Sequence, residues 1–283
     1  MIDSSDAAEC QDPVPASRRI QLPSVAVGFL LRGADDNWLE SAHRFLNSYK
    51  AHPAGFPHVP HVMLKGFADP IVLAEIESSF RKEGFAIRHL SDDGFDLMAY
   101  TRWARELDAD YICCFNSHSE ILADNWLAKF MFNLTRNGIG MASATASFES
   151  LHQIWSVVPA FPNAHLRSNA FCLERALFVD CTANLKIGEK LDAFLFESGP
   201  YSITRQIINM GRRVAIIGRN GRAYGPRWWP FSGAFRQRTQ SNLMVADNVT
   251  RTYDRADRIE KVRLAAMTWG PYLNEDYRLP LDS

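Results

Sequence analysis

Little in this chain points to disulfides, to a structural metal site or to a membrane span. The five cysteines among 283 residues (Cys10, Cys113, Cys114, Cys172 and Cys181) are odd in number and form no CxxC pair. That excludes a disulfide framework and the standard zinc motifs, and it fits a reduced setting. No run approaches the roughly 18 apolar residues of a spanning helix, and the opening MIDSSDAAECQDPVPASRR is acidic, without the apolar centre of a signal peptide. The expectation is a cytoplasmic protein with no transmembrane segment, whose membrane contact, if any, is peripheral. An excess of one charge is also missing, since 31 Lys and Arg oppose 32 Asp and Glu. This speaks against nucleic acid as a partner.

A normal core-forming composition is present, with 47% hydrophobic residues and neither internal repeats nor low-complexity blocks. The charge is unevenly spread: residues 201–283 hold 14 basic and 7 acidic side chains, while residues 1–200 hold 17 and 25. A basic last third is either a solvated face or one wall of a cleft for a phosphate-bearing ligand, and composition leaves both readings open. Residues 1–19, rich in Asp, Ser, Ala and Pro without apolar periodicity, read as a flexible tail, and residues 20–283 as a single domain.

Apolar runs alternate with amphipathic stretches along the first half. Strands are expected at residues 24–31, 58–66, 85–90 and 110–115, and helices at 36–49, 95–107 and from the Asp69-Pro70 start signal onward. The second half reads as a helix at 126–134, strands at 140–147, 170–173 and 213–217, and a helix at 201–210. This alternation predicts an α/β fold, a mostly parallel central sheet flanked by helices, and such sheets bind ligands outside the carboxyl ends of their strands. Arg32, Asp69, Asp92, Asp93 and the stretch Asn116-Ser-His-Ser-Glu120 all lie directly after expected strands.

Asn116 and His118 stand one residue apart at a strand end, the spacing with which two ligands hold a divalent cation against a diphosphate. The competing reading makes Asn116 a turn cap and leaves His118 exposed. Glu197 interrupts an apolar stretch and is placed here at the start of a helix, where a carboxylate serves as a general base or as a helix cap. The segment Phe161-Pro-Asn-Ala-His-Leu-Arg-Ser-Asn169 is too polar for a core strand. Its Arg167 suits a phosphate, and His165 is as well explained as a satisfied loop histidine.

The order of these pieces over roughly residues 24–248 resembles the glycosyltransferase A fold (GT-A), in particular the large inverting family 2 and its bacterial polysaccharide-synthesis members. The resemblance implies a Rossmann-related sheet and an enzyme of hexosyltransferase type that moves sugar from a nucleotide-diphosphate donor to a saccharide or other hydroxyl acceptor. Carried over onto this chain, it implies donor contacts from Arg32, Asp69, Asp93 and Asp96, and it aligns the acidic metal motif with Asn116 and His118. It further implies Glu197 as catalytic base and Trp228 and Trp229 as acceptor-side aromatics. Mn2+ or Mg2+ is the implied cofactor, and because Asn116 and His118 replace carboxylates, a metal-independent mechanism is equally open. The alternative is a catalytically silent nucleotide-sugar or carbohydrate-binding protein.

Overall fold

A computed structural model describes residues 22–136 and 138–273, so the tail expected at residues 1–19, with Cys10, lies outside the described residues. The chain begins as a regular strand–helix alternation: β1 (Val25–Arg32), α1 (Trp38–Ala51), β2 (Val59–Lys65), α2 (Pro70–Lys82), β3 (Ala86–His89), α3 (Phe95–Glu106) and β4 (Tyr111–Phe115). Short β5 (Glu120–Ile121) and α4 (Trp126–Arg136) lead to β6 (Ile139–Ser143), β7 (Ala146–Ser147), β8 (His165–Leu166) and β9 (Ala170–Glu174). Helices α5 (Arg175–Cys181), α6 (Lys190–Ser198) and α7 (Ile203–Asn209) precede β10 (Arg213–Ile217) and β11 (Ala223–Tyr224). After a 3-10 turn at Pro226–Phe231 come β12 (Val245–Ala246), α8 (Asn248–Arg255) and α9 (Arg258–Trp269).

Eight strands form the central sheet in the order β11-β10-β6-β9-β4-β1-β2-β3, and all neighbours are parallel except those involving β9 and β11. Alternation along β1 divides its side chains between two faces: Val27, Phe29 and Leu31 pack under α1, α2 and α4, while Ala26 and Leu30 face α3 and the later helices. Gly28 sits among them because a Cβ there would come within 2.7 Å of the Trp103 ring and 2.8 Å of the Met63 methyl. The four described cysteines are free and buried. No helix of the described residues is long and apolar enough to cross a membrane.

Two expectations need correction. The strand read over 140–147 is broken, because the single Ser143 hydroxyl proton is shared between the Arg167 and Ala170 carbonyls (2.9 and 3.0 Å) and Thr145 Oγ1 donates to Asn169 Oδ1 (2.7 Å). Hydroxyls bonding to backbone in this way divert the ladder, and β7 leaves the sheet to pair with β8. Glu197 lies in the last turn of α6 rather than at a helix start. The Asp192 carboxylate accepts the Gly188 and Glu189 N–H groups at 2.9 Å, which starts α6 earlier in the chain, and Gly199 ends it.

Candidate functional site

Between β1 and β4 the strand order reverses, β2 and β3 lying to one side of β1 and β4 and β9 to the other, and the carboxyl ends of β1 and β4 are the switch point where such sheets bind ligands. Arg32 ends β1 and grips Asp92 in a two-pronged pair, Nε to Oδ1 at 2.7 Å and Nη2 to Oδ2 at 2.8 Å, with Nη1 on Asp35 at 3.0 Å. Gly66, in the left-handed region with φ 66°, follows β2, and a Cβ there would lie 2.8 Å from the Asp92 carboxylate. Lys65 ends β2 with its side chain buried; its Nζ lies 3.5 Å from Asp92 Oδ1 and donates to the Phe95 carbonyl at 3.2 Å. The Arg32 hydrogen bonds hold the Asp92 carboxyl below its ordinary value against the opposing effect of burial. Burial raises Asp96 above its ordinary value, with Lys65 and His118 pulling the other way.

The remaining expected donor contacts divide. Asp69 accepts the Ile71 N–H at 2.8 Å and caps α2, so its carboxylate is already used locally. Asp93 is exposed and pairs with Arg102 of α3 at 2.6 Å, which holds it well below the usual carboxylate range. Asn116 Oδ1 accepts the His118 N–H at 3.1 Å and shares the single Ser119 hydroxyl proton, at 3.0 Å, with the Asn169 carbonyl, so this oxygen is engaged within its own turn. His118 is half-buried with Nδ1 unpaired, so the turn-cap reading holds for Asn116 while His118 is not the exposed residue of that reading. Among the described residues no group of three or more His, Cys, Asp and Glu is placed to hold a metal. Of the expected ligand pair, Asn116 Oδ1 is engaged within its turn, while His118 Nδ1 has no partner.

A second cluster surrounds Glu197. Its Oε2 accepts the Ser168 N–H at 2.7 Å and the Ser168 hydroxyl in a very short contact. Beside it a cavity of about 150 Å³ is lined by Glu197, Glu149, His165, Arg167, Arg236 and Phe235, among others. Arg167 is paired with the fully buried Asp247 at 2.9 Å and Arg236 with Glu149 at 3.2 Å, and both guanidinium groups lie over the Phe235 ring, at 4.5 and 5.2 Å. His165 donates Nδ1–H to the Asn163 carbonyl at 2.7 Å, which leaves the lone pair of its neutral ring on Nε2. Burial pushes this imidazole below the ordinary histidine value despite the nearby Glu197 carboxylate.

The two clusters adjoin through the strand of residues between β8 and β9. Asn169 O accepts the Asn116 N–H and the Ser119 hydroxyl, each at 3.0 Å, while Ser168 next to it holds Glu197. Arg251, one turn into α8 from the Asp247 cap, donates to the His118 carbonyl at 3.0 Å and faces Glu120 at 3.3 Å. Trp229 is 0% exposed, with its indole N–H on the Tyr224 carbonyl at 2.8 Å, so it offers no face to a ligand and leaves the acceptor-side pair. Trp228 is 64% exposed and retains an open ring face.

Sequence reading missed Lys65 and Glu149; Ser168 stood in the polar segment 161–169 without a role of its own, and Arg236 and Asp247 in the stretch 236–248 that the resemblance puts on the acceptor side. The available signal for Lys65 was a cation closing an otherwise apolar strand run. No protein-family model matches the chain, and none of the curated proteins matches it.

Proposed function

We propose that this protein is a GT-A-type, family 2-like inverting glycosyltransferase that passes a sugar from a nucleotide-diphosphate donor to a hydroxyl acceptor, working in the cytoplasm on polysaccharide or glycoconjugate synthesis. One observation carries the reading: Glu197, a carboxylate paired with no cation among the described residues, lines a small cavity in the cluster that adjoins the switch point of the sheet. The other two carboxylates of that cluster, Glu149 and Asp247, are neutralised by Arg236 and Arg167. A carboxylate without a counter-ion is suited to accept a proton.

In this reading the donor lies above β1 and β4 and the acceptor enters the cavity. The acceptor hydroxyl attacks the anomeric carbon and gives its proton to Glu197, while the bond from that carbon to the diphosphate breaks on the opposite side. The nucleoside diphosphate leaves with the bonding electrons, and the configuration inverts. Arg32 and His118 are the cationic or hydrogen-bonding groups available to the donor, with Lys65 buried beside Asp92, and the mechanism has no step through a metal. Glu197→Gln, which keeps the shape and removes the base, is expected to lower nucleotide release from UDP-, GDP-, CMP- and dTDP-linked sugars by at least about a hundredfold while the donor-induced rise in melting temperature persists. Retained turnover would remove Glu197 from the role of base.

The second reading, a binding protein without turnover, is favoured by the engaged side chain of Asn116. It predicts a donor-induced thermal shift with no nucleotide release from the unaltered protein.

A further inference from the structure

The partners of Glu197 are unusual for a carboxylate among charged neighbours. Arg167 and Arg236 both line its cavity, yet the groups that donate to it are the neutral N–H and O–H of Ser168, and both reach the same oxygen, Oε2. A carboxylate has about four acceptor sites on its two oxygens. With Oε2 taken twice, Oε1 is left for a substrate hydroxyl.

Ser168 is itself fixed on both sides. Arg167 before it is tied to Asp247 at 2.9 Å and donates its own N–H to the Thr145 carbonyl at 3.1 Å. Asn169 after it accepts from Asn116 and Ser119 through its carbonyl and from Thr145 through its side chain at 2.7 Å. The serine is thus carried on an anchored backbone, while Glu197 projects from the last turn of a nine-residue helix. A side chain at a helix end has several rotamers open to it, and a double hydrogen bond to one oxygen selects among them.

We infer that Ser168 is the positioning residue of Glu197: it holds one carboxylate oxygen so that the other faces the cavity, without adding a cation that would weaken the carboxylate as a base. The inference rests on the reading of Glu197 as the base. Arg167 and Arg236, already neutralised by Asp247 and Glu149, leave this task to an uncharged donor. His165, with its Nδ1–H committed to Asn163, is also no cation there when neutral.

The test compares nucleotide release from UDP-, GDP-, CMP- and dTDP-linked sugars by the unaltered protein, Glu197→Gln, Ser168→Ala, Ser168→Thr and Ser168→Cys. Loss of the hydroxyl in Ser168→Ala is expected to lower kcat roughly 10- to 100-fold with the donor KM within about twofold, since the misaligned base affects the reaction step and not donor binding. Ser168→Thr restores the hydroxyl and is expected to stay within about fivefold of the unaltered protein, and Ser168→Cys, a weak donor, to fall between. A folded Ser168→Ala or Ser168→Cys protein with full kcat, beside an inactive Glu197→Gln, overturns the positioning role alone. An active Glu197→Gln, or no release by the unaltered protein from any of the four donors, overturns the reading beneath it.

Discussion

The two halves of the candidate site treat charge in opposite ways. On the β1–β3 side the Arg32–Asp92 pair is open to solvent, with 39% and 29% of the side-chain surface exposed, although Lys65 beside it is buried. On the Glu197 side the Arg167–Asp247 pair is nearly closed off, at 16% and 1%. An exposed pair can exchange its internal partner for a ligand at small cost, whereas a buried pair broken on one side leaves an uncompensated charge. The open side is therefore suited to grip a charged ligand, and the closed side to hold a fixed shape around one reactive carboxylate.

The contrast can be broken most directly at its two aspartates. Asp247→Ala strands Arg167 and removes the Thr250 N–H cap of α8, and it is expected to cost about 3–5 kcal/mol in urea unfolding. Asp92→Ala is expected to cost about 1 kcal/mol or less. Equal losses would erase the distinction between the two sides. At Asp247 burial alone would raise the carboxyl, but Arg167 and the α8 hydrogen bonds bring it below its ordinary value. Its contribution is thus present above the unfolded carboxyl value and is lost as pH falls through the depressed folded one.

The adjacent tryptophans sharpen the same point. Trp229→Ala should lower stability by about 3–5 kcal/mol through an unfilled core volume, while Trp228→Ala should change it by about 0.5 kcal/mol or less. Chemical denaturation of both variants checks this, and a reduced acceptor response in the stable Trp228 variant would give that exposed ring its ligand role.

Acid probes the core beneath β2. His61, packed against Trp103 with ring centroids 5.5 Å apart, is lowered to about 4, first by burial and then by the Arg88 charge. Because the unfolded chain binds this proton more readily, stability is full above about pH 6.5 and falls as pH drops toward 4. Between pH 7 and pH 5 the loss from this one group is about 2 kcal/mol. A His61→Gln protein that melts with the same acid dependence as the unaltered one would remove His61 as its source.

The smallest effect is expected at Asp69. Replacing it with Ala should cost about 1 kcal/mol of stability as a lost helix cap and leave UDP affinity within about twofold. A larger fall in affinity would return Asp69 to the donor site.

Much of the first half was legible in the sequence. Strands, helices and the Asp69 cap follow from local periodicity and start signals: β1, β2 and β4 carry the buried apolar runs of interior strands, while the shorter β3 lies at the sheet edge and is partly exposed. The second half was less legible: β5, β8 and β12 are two residues long, and α5, α8 and α9 were not expected at all. Strands that short carry no periodicity. In α8 and α9 the helix starts depend on Asp247 and Asp257 capping Thr250 and Glu260, within a stretch that is mostly polar.

Of the candidate site, the sequence by itself determined which residues stand at strand ends: Arg32, the Asp92-Asp93 pair, Asn116 and His118 follow from the apolar runs before them. It also made Glu197 conspicuous, as a charge in apolar surroundings. Only the tertiary structure decided what each does. It spent Asn116, Asp69 and Asp93 on local partners, buried Trp229, moved Glu197 to a helix end and brought it to Ser168, 29 residues away. The physical reason is range. Helix and strand preferences are set by neighbours within a few residues, while the partner that neutralises, orients or buries a side chain comes from distant parts of the chain, as Arg167 meets Asp247 and Arg236 meets Glu149.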